Sequence, residues 1–207
     1  MKKSLSILFT ALLLSGASSA FASSTDLTVT GLITPAACKP NLSGGGIVDF
    51  GKISAQDLKK DVQTRLPDRT VQLTVNCDAE IRFAIQPIDN RAGSSTAGAA
   101  FGLGLINGTE KLGRYFLEIG NPVADIPSTV LYSANDGTSW YPLDDTAATT
   151  RYLIGFGSRD SGAWDLHPLK DVAVDIFLNT AIAPTKNLTL TDDVLIDGSA
   201  TLQINYL

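Results

Sequence analysis

The stretch VQLTVNCDAEIRFAIQPI, residues 71–88, carries an apolar residue at almost every second position. Val71, Leu73, Val75 and Cys77 fall on one side of an extended chain, and Ile81, Phe83 and Ile85 fall on one side of the next. Successive side chains of a strand point to opposite faces, so a period of two marks a strand half-buried against a core. Two such runs, back to back, set the expectation for the whole molecule: an antiparallel all-β fold.

The alternation returns further along. DVAVDIFL (171–178) places Val172, Val174, Ile176 and Leu178 together, and TLQINYL (201–207) sets Leu202, Ile204 and Tyr206 against Gln203 and Asn205. DLTVTGLI (26–33), RYFLEI (114–119) and RYLIGF (151–156) are weaker members of the set. Turn signals divide these runs at Asp89-Asn90, Asn107-Gly108 and Asp136-Gly137. The last lies between VLYS (130–133) and SWYPL (139–143) and predicts a hairpin, because Asp and Gly accept the positive φ of a tight turn. ISAQDLKKDV (53–62) predicts a short helix or turn, and no long helical pattern occurs. Residues 89–111, rich in Gly, Ala, Ser and Thr, predict a long loop or a poorly packed strand pair. Short strands separated by turns imply a β-sandwich. No linker or internal repeat divides the chain.

The N-terminus bears on compartment. Lys2 and Lys3 precede a mostly apolar run from Leu5 to Leu14, and Ala20-Phe21-Ala22 fits a small-x-small cleavage site. This is the pattern of a secretory signal peptide over 1–22. It predicts a single exported domain over 23–207, in the periplasm or at the cell surface. Its removal leaves 185 of the 207 residues and, by taking away two lysines, moves the net charge from −5 to −7. An acidic chain with scattered Lys and Arg is poorly suited to nucleic acid or anionic lipid. After the signal, no segment is long and apolar enough for a membrane span. Cys38 and Cys77 are the only cysteines. In an exported chain such a pair predicts a disulfide, which on the chain-entropy model stabilises by roughly 4 kcal/mol for a loop of this length.

Catalysis has little support in the residues, and no enzyme activity or cofactor is expected. The single histidine, His167, lies in WDLHPLK (164–170) without a recognisable nucleophile partner and predicts a surface or loop residue. No clustered Cys/His set suggests a zinc site. TDDVLIDG (191–198) and LDDT (143–146) lack the spacing of a calcium loop and predict solvated acids. Ser43-Gly44-Gly45-Gly46 invites comparison with a phosphate-binding loop. A phosphate loop needs a following helix, and here IVDFG (47–51) follows, with no G-K-[ST] ending. The glycines predict a turn or bulge leading into a strand at 47–50. Cys38 is expected to tie the end of the first strand, 26–33, to the strand ending at Cys77.

Several of these residues also carry a resemblance. Gly31, Ile33 and Cys38 in the spacing G-x-I-x-x-x-x-C, then IVDFG, then VNC (75–77), then a penultimate Tyr206 resemble chaperone–usher fimbrial (pilin) subunits. DLTVTGLITPAACKPNLSGGGIVDFG (26–51), DNR (89–91), AFGLG (100–104) and DGSATLQINYL (197–207) resemble the GltF-like family of exported proteins, thought to be related to those subunits. The resemblance implies an immunoglobulin-like, pilin-like antiparallel sandwich lacking its final strand. It implies assembly by donor-strand exchange, with a periplasmic chaperone, an outer-membrane usher and other fimbrial subunits as partners. The donor segment would be Ser23–Thr30, with Leu27 and Val29 filling a groove; the last strand would offer Leu202, Ile204 and Tyr206 to the chaperone. Leu27 and Val29 equally fit the chain's own first strand, since both roles demand alternation. This chain departs from the pilin pattern in a short segment before Gly31, in the absence of a glycine within it, and in a hairpin at 130–143. The alternative reading is therefore a soluble periplasmic binding or regulatory protein with a complete sandwich.

Overall fold

Extended segments rich in β-branched and aromatic residues dominate the chain, and they form strands wherever alternation lets one face be buried. The structure, a computed structural model, describes residues 37–144, 147–160 and 162–207. Its strands are β1 (Cys38–Leu42), β2 (Thr64–Arg65), β3 (Arg69–Ile81), β4 (Phe83–Asp89), β5 (Phe101–Gly102), β6 (Leu105–Ile106) and β7 (Glu110–Lys111). There follow β8 (Gly113–Ala124), β9 (Thr129–Ser133), β10 (Tyr141–Pro142), β11 (Leu153–Asp160), β12 (Ala163–Leu166), β13 (Leu169–Ile182) and β14 (Ala200–Tyr206). Helical structure among the described residues is confined to short 3-10 turns at Ser43–Gly46, Ala55–Asp57 and Thr185–Asn187. The middle one is the short turn expected in 53–62. Among the described residues no helix is long and apolar enough to cross a membrane.

Two antiparallel sheets account for most of these strands. In the first the order is β1-β3-β13-β8-β5, with β2 also on β13. In the second it is β10-β9-β11-β4-β14, with β12 also on β11. β6 and β7 form a separate ribbon whose turn places Asn107 and Gly108 at φ 50° and 75°. The fold is thus all-β and sandwich-like. Leu73, Val75, Val174 and Ile176 from the first sheet share one core with Phe83, Ile85, Ile154 and Phe156 from the second. A smaller cluster of Ala84, Leu131, Trp140, Leu153 and Leu166 covers the other face of the second sheet. That second cover explains why β4 and β11 read as continuous apolar runs near FAI and LIGF, rather than as clean alternation.

The longest strands make the expected contacts. Val71, Leu73, Val75 and Cys77 are all buried, as are Val172, Val174 and Ile176. β3 and β13 pair with Leu73 opposite Val174 and Val75 opposite Val172, so both apolar sets enter the core together. Tyr115, Leu117 and Ile119 of β8 do the same from the other side of β13. Cys38 and Cys77 are joined by a disulfide and stand opposite one another in the β1–β3 register.

Three expectations change. The glycines do take positive φ, at 61°, 66° and 73°, but residues 47–50 are not a strand, and Ile47 is 78% exposed. Extended pairing there would need a neighbouring edge, and β1 already occupies that side of β3. Cys38 opens a strand rather than closing one, and β3 continues beyond Cys77 to Ile81. Residues 89–111 are not loosely packed: Phe101, Leu103 and Ile106 are buried, and Phe101 stacks on Tyr115 with ring centroids 5.2 Å apart. Low apolar content hid this, because the packing there depends on backbone turns and on a few large side chains. The Asp136-Gly137 turn forms as expected, with φ 54° and 82°, although it lies within a seven-residue connection from β9 to β10. The 26–33 segment lies outside the described residues.

Two measurements check this account. Phe156, 1% exposed, touches the core from the second sheet, so Phe156→Ala should cost about 3–5 kcal/mol in denaturant unfolding. Alkylation without reduction should label no thiol, and replacing both cysteines by Ala should lower stability by roughly 4 kcal/mol. Labelling of both thiols in the untreated protein would contradict the disulfide.

Candidate functional site

β14 stands at one end of the second sheet. Its strand partner among the described residues is β4, with Leu202 opposite Pro87, Ile204 opposite Ile85 and Tyr206 opposite Phe83. The other edge of β14 has no strand partner among the described residues. Leu202, Ile204 and Tyr206 point toward the core and pack against it, yet each stays only half-buried. Their counterparts on β3 and β13 are buried, so the sandwich is incompletely covered along this edge.

A groove of about 240 Å³ opens beside it. Its floor is the inner face of the first sheet, where Val71, Leu117, Ile176 and Leu178 contribute side chains. Phe50, from the segment after the glycines, and Leu202 of β14 also line it. Leu42 of β1 lines it too, so the strands that end the two sheets among the described residues both adjoin one largely apolar groove. Val48 and Phe50, expected in a strand, instead contribute to this lining.

The two edges are tied near one end of β14. The backbone N–H of Cys38 donates to the Tyr206 hydroxyl oxygen across 2.9 Å. This bond holds β1 to the C-terminal end of β14 and gives a donor at an open edge its partner. At the other end of β14 a larger polar cluster forms. Arg91 Nε donates to Asp197 Oδ2 at 2.8 Å and Arg91 Nη2 to Asp197 Oδ1 at 2.7 Å. Arg91 Nε also reaches the Asp197 carbonyl at 3.1 Å. Asp89 accepts from the Arg91 and Gly102 backbone N–H groups, and Ser94 Oγ accepts from the Gly104 N–H. Asn90 Nδ2 donates to the hydroxyls of Ser199 and Thr201.

This cluster fixes the path of the chain into β14. The connection from β13 runs through residues 183–199 and is held at Thr189 by Glu110, whose carboxylate accepts from the Thr189 N–H at 2.6 Å and hydroxyl at 2.8 Å. Those two hydrogen bonds lower the Glu110 pKa below its ordinary value. At the far end the bidentate bond from Arg91 lowers the Asp197 pKa. Burial, with the nearby Asp89 charge, raises that of the Tyr115 phenol.

The sequence-predicted residues fall into separate places. Cys38 and Cys77 meet in the disulfide. Leu202, Ile204 and Tyr206 line or adjoin the free edge, while Leu27 and Val29 lie outside the described residues. His167 lies in the connection between β12 and β13, a loop as expected, and is half-buried there, with Nδ1 2.9 Å from Ser128 Oγ and Nε2 2.9 Å from Ser158 Oγ. Both ring nitrogens are occupied by hydroxyls, so His167 straps the β12–β13 connection to β11 and to the approach to β9. The Arg91–Asp197 pair escaped the reading by pattern. Its only trace was that DNR and DGSATLQINYL both stood out as short motifs, 106 residues apart at the paired positions.

Comparison with known proteins adds to this geometry. Residues 27–111 match a family described as "Protein of unknown function (DUF1120)". The chain is 27% identical to Protein GltF of Escherichia coli (strain K12) over 229 residues, covering 88% of each chain. A shorter match, 37% identical over 75 residues, is to the protein YhcF of the same organism, called uncharacterized, and covers 36% of this chain and 31% of that one. The chain is thus similar to GltF over most of its length. The family-model segment includes both cysteines, Asp89 and Arg91, so one half of the cluster at the head of β14 lies inside it.

The Asp197 pKa gives a sign that can be checked. A carboxylate whose folded pKa is lowered adds stability above its unfolded value, about 4, and that contribution disappears as pH falls through the folded value. Asp197→Asn should therefore be less stable than the parent at neutral pH, with the gap closing under acid. The gap should also narrow in high salt, since the pair is exposed. Thermal melts from pH 7 down to pH 3 measure both effects.

Proposed function

We propose that this chain is an exported, fimbria-type structural subunit without enzymatic activity, assembled by strand addition. The observation that carries the reading is the second edge of β14, which has no strand partner among the described residues. Along it lie half-covered Leu202, Ile204 and Tyr206 and an adjoining apolar groove. An open edge of this kind is an aggregation hazard unless another strand covers it. Strand addition supplies main-chain hydrogen bonds for affinity, and alternate side chains enter the groove for specificity.

On this reading residues 1–22 are a signal peptide and the protein works in the periplasm or within a fimbria at the cell surface. The sandwich is immunoglobulin-like and lacks one strand, whose place lies between β1 and β14. A periplasmic chaperone covers that place first, against Leu202, Ile204 and Tyr206. In the fibre, Leu27 and Val29 of the next subunit replace it, delivered by an outer-membrane usher. The Cys38–Tyr206 bond sits where an added strand would enter, and the Tyr hydroxyl would yield its donor to that strand.

The competing reading, a soluble periplasmic protein with a complete sandwich, makes different predictions. Co-expression with a periplasmic chaperone should give a stable complex, and exported subunit alone should aggregate or be degraded. Leu27→Asp with Val29→Asp should block assembly into polymers while leaving chaperone binding intact. A stable soluble monomer without chaperone, and assembly unaffected by both substitutions, would reject strand donation.

A further inference from the structure

A second opening adjoins the start of β8 and the end of β13. It has a volume of about 500 Å³ and is lined by Gln63, Thr96, Lys111, Arg114, Pro184 and Asn187, with Ala183. Its charged residues are Lys111 and Arg114; none of the lining residues is acidic. The chain as a whole has 21 Asp and Glu against 16 Lys and Arg. A cleft with only positive charge is therefore against the trend of the molecule.

Neither cation is neutralised within the described residues. The ion pairs there join Arg65 to Asp68, Arg82 to Asp165, Arg91 to Asp197 and Lys186 to Asp61. Glu110, next to Lys111 in sequence, spends both carboxylate oxygens on Thr189. Arg114 is held in place without a counter-charge. Its Nη2 donates to Gln63 Oε1 at 3.0 Å, and its guanidinium lies over the Phe116 ring at 4.7 Å from the centroid. This support leaves guanidinium donors to spare, since five N–H groups are available. A planar guanidinium with its orientation set in advance suits a carboxylate, which it can grip with two parallel bonds. The other lining groups, two amides and a hydroxyl, are neutral and can both donate and accept. That pattern matches a ligand that carries hydroxyl groups beside carboxylate.

We propose that this cleft binds a carboxylate-bearing sugar, with Arg114 and Lys111 on the carboxylate and Gln63, Thr96 and Asn187 on the hydroxyls. The volume suits a mono- or disaccharide. The site shares no lining residue with the groove beside β14, so it stands whether or not strands are exchanged there.

Titration of the purified protein with digalacturonate, followed by calorimetry and by amide chemical shifts, tests the proposal. The comparison probes are galactose and inorganic phosphate. Saturable binding of digalacturonate, weakened by salt and absent with galactose, is expected, with shifts confined to Lys111, Arg114 and their neighbours. Loss of one charge-assisted contact corresponds to about tenfold or more in affinity, so Arg114→Gln should weaken binding by at least that factor. Arg114→Lys should recover only part of it, having lost the fork. Thermal melts of both variants should match the parent, which separates lost binding from lost folding. Phosphate binding as tightly as digalacturonate would reduce the cleft to a general anion site and overturn the sugar assignment. So would equal binding of galactose, or no saturable binding at all.

Discussion

The pairing of β13 along both of its edges is the constraint on which the rest of the structure depends. β3 lies on one side and β8 on the other, so Val172 and Ile176 have partners in both directions within one sheet, while Val174 pairs with Leu73 of β3 and sits at a register shift on the β8 side. Because side chains alternate strictly, this register commits an entire face of the first sheet to the core. A slip by one residue would turn all of them outward. The second sheet must then present a matching face, and β4 and β11 do so with Phe83, Ile85, Ile154 and Phe156. β14 extends that sheet by pairing with β4 and has no second strand partner among the described residues. The well-buried centre and the half-covered margin follow from the same pairing order.

The polar clusters sit at that margin because the margin is where the chain must be held without a core. The segment leading to β14 puts Leu188 into the core and Leu190 and Val194 against it, but its last stretch leaves Leu195 84% exposed. Arg91 and Asp197 at one point and Glu110 and Thr189 at another supply the fixed points instead. Exposed ion pairs individually contribute little to stability. Here the bidentate geometry and the added carbonyl bond serve position, bringing Ser199 and Thr201 to Asn90 so that β14 begins in register with β4.

Much of the fold was legible in the sequence because one physical signal, alternation, decides burial in β3, β8, β13 and β14 alike. Turn residues were legible for a similar reason: Asn107, Gly108, Asp136 and Gly137 take the positive φ that their chemistry permits. Reading failed where geometry depends on a partner far away in the chain. Residues 47–50 look like a strand by composition, yet they pair with no strand among the described residues. Phe101 and Leu103 look sparse in sequence and become buried through contact with β8 and its surroundings. The groove, the Arg91–Asp197 pair and the cationic cleft each combine residues from separate strands, so no local pattern announces them. Arg114 reads as an ordinary exposed strand residue until Gln63 and Phe116 are seen to hold it.

The disulfide has a mechanical consequence. Cys38 and Cys77 lie side by side on neighbouring strands, 39 positions apart in the chain. A pull applied to the polypeptide ahead of Cys38 passes through the sulfur bridge straight into β3, and β3 is bonded along its length to β13 in the middle of the first sheet. The intervening loop, which contains β1, the glycine turn and the wall of the groove, carries no tension while the bridge is intact. Reduction would put it in the load path, and unravelling it as far as the start of β3 would give roughly 100 Å of extended chain at about 3.4 Å per residue. Under load, then, the bridge keeps the groove's floor and wall in shape and moves the first point of yielding deeper into the sheet.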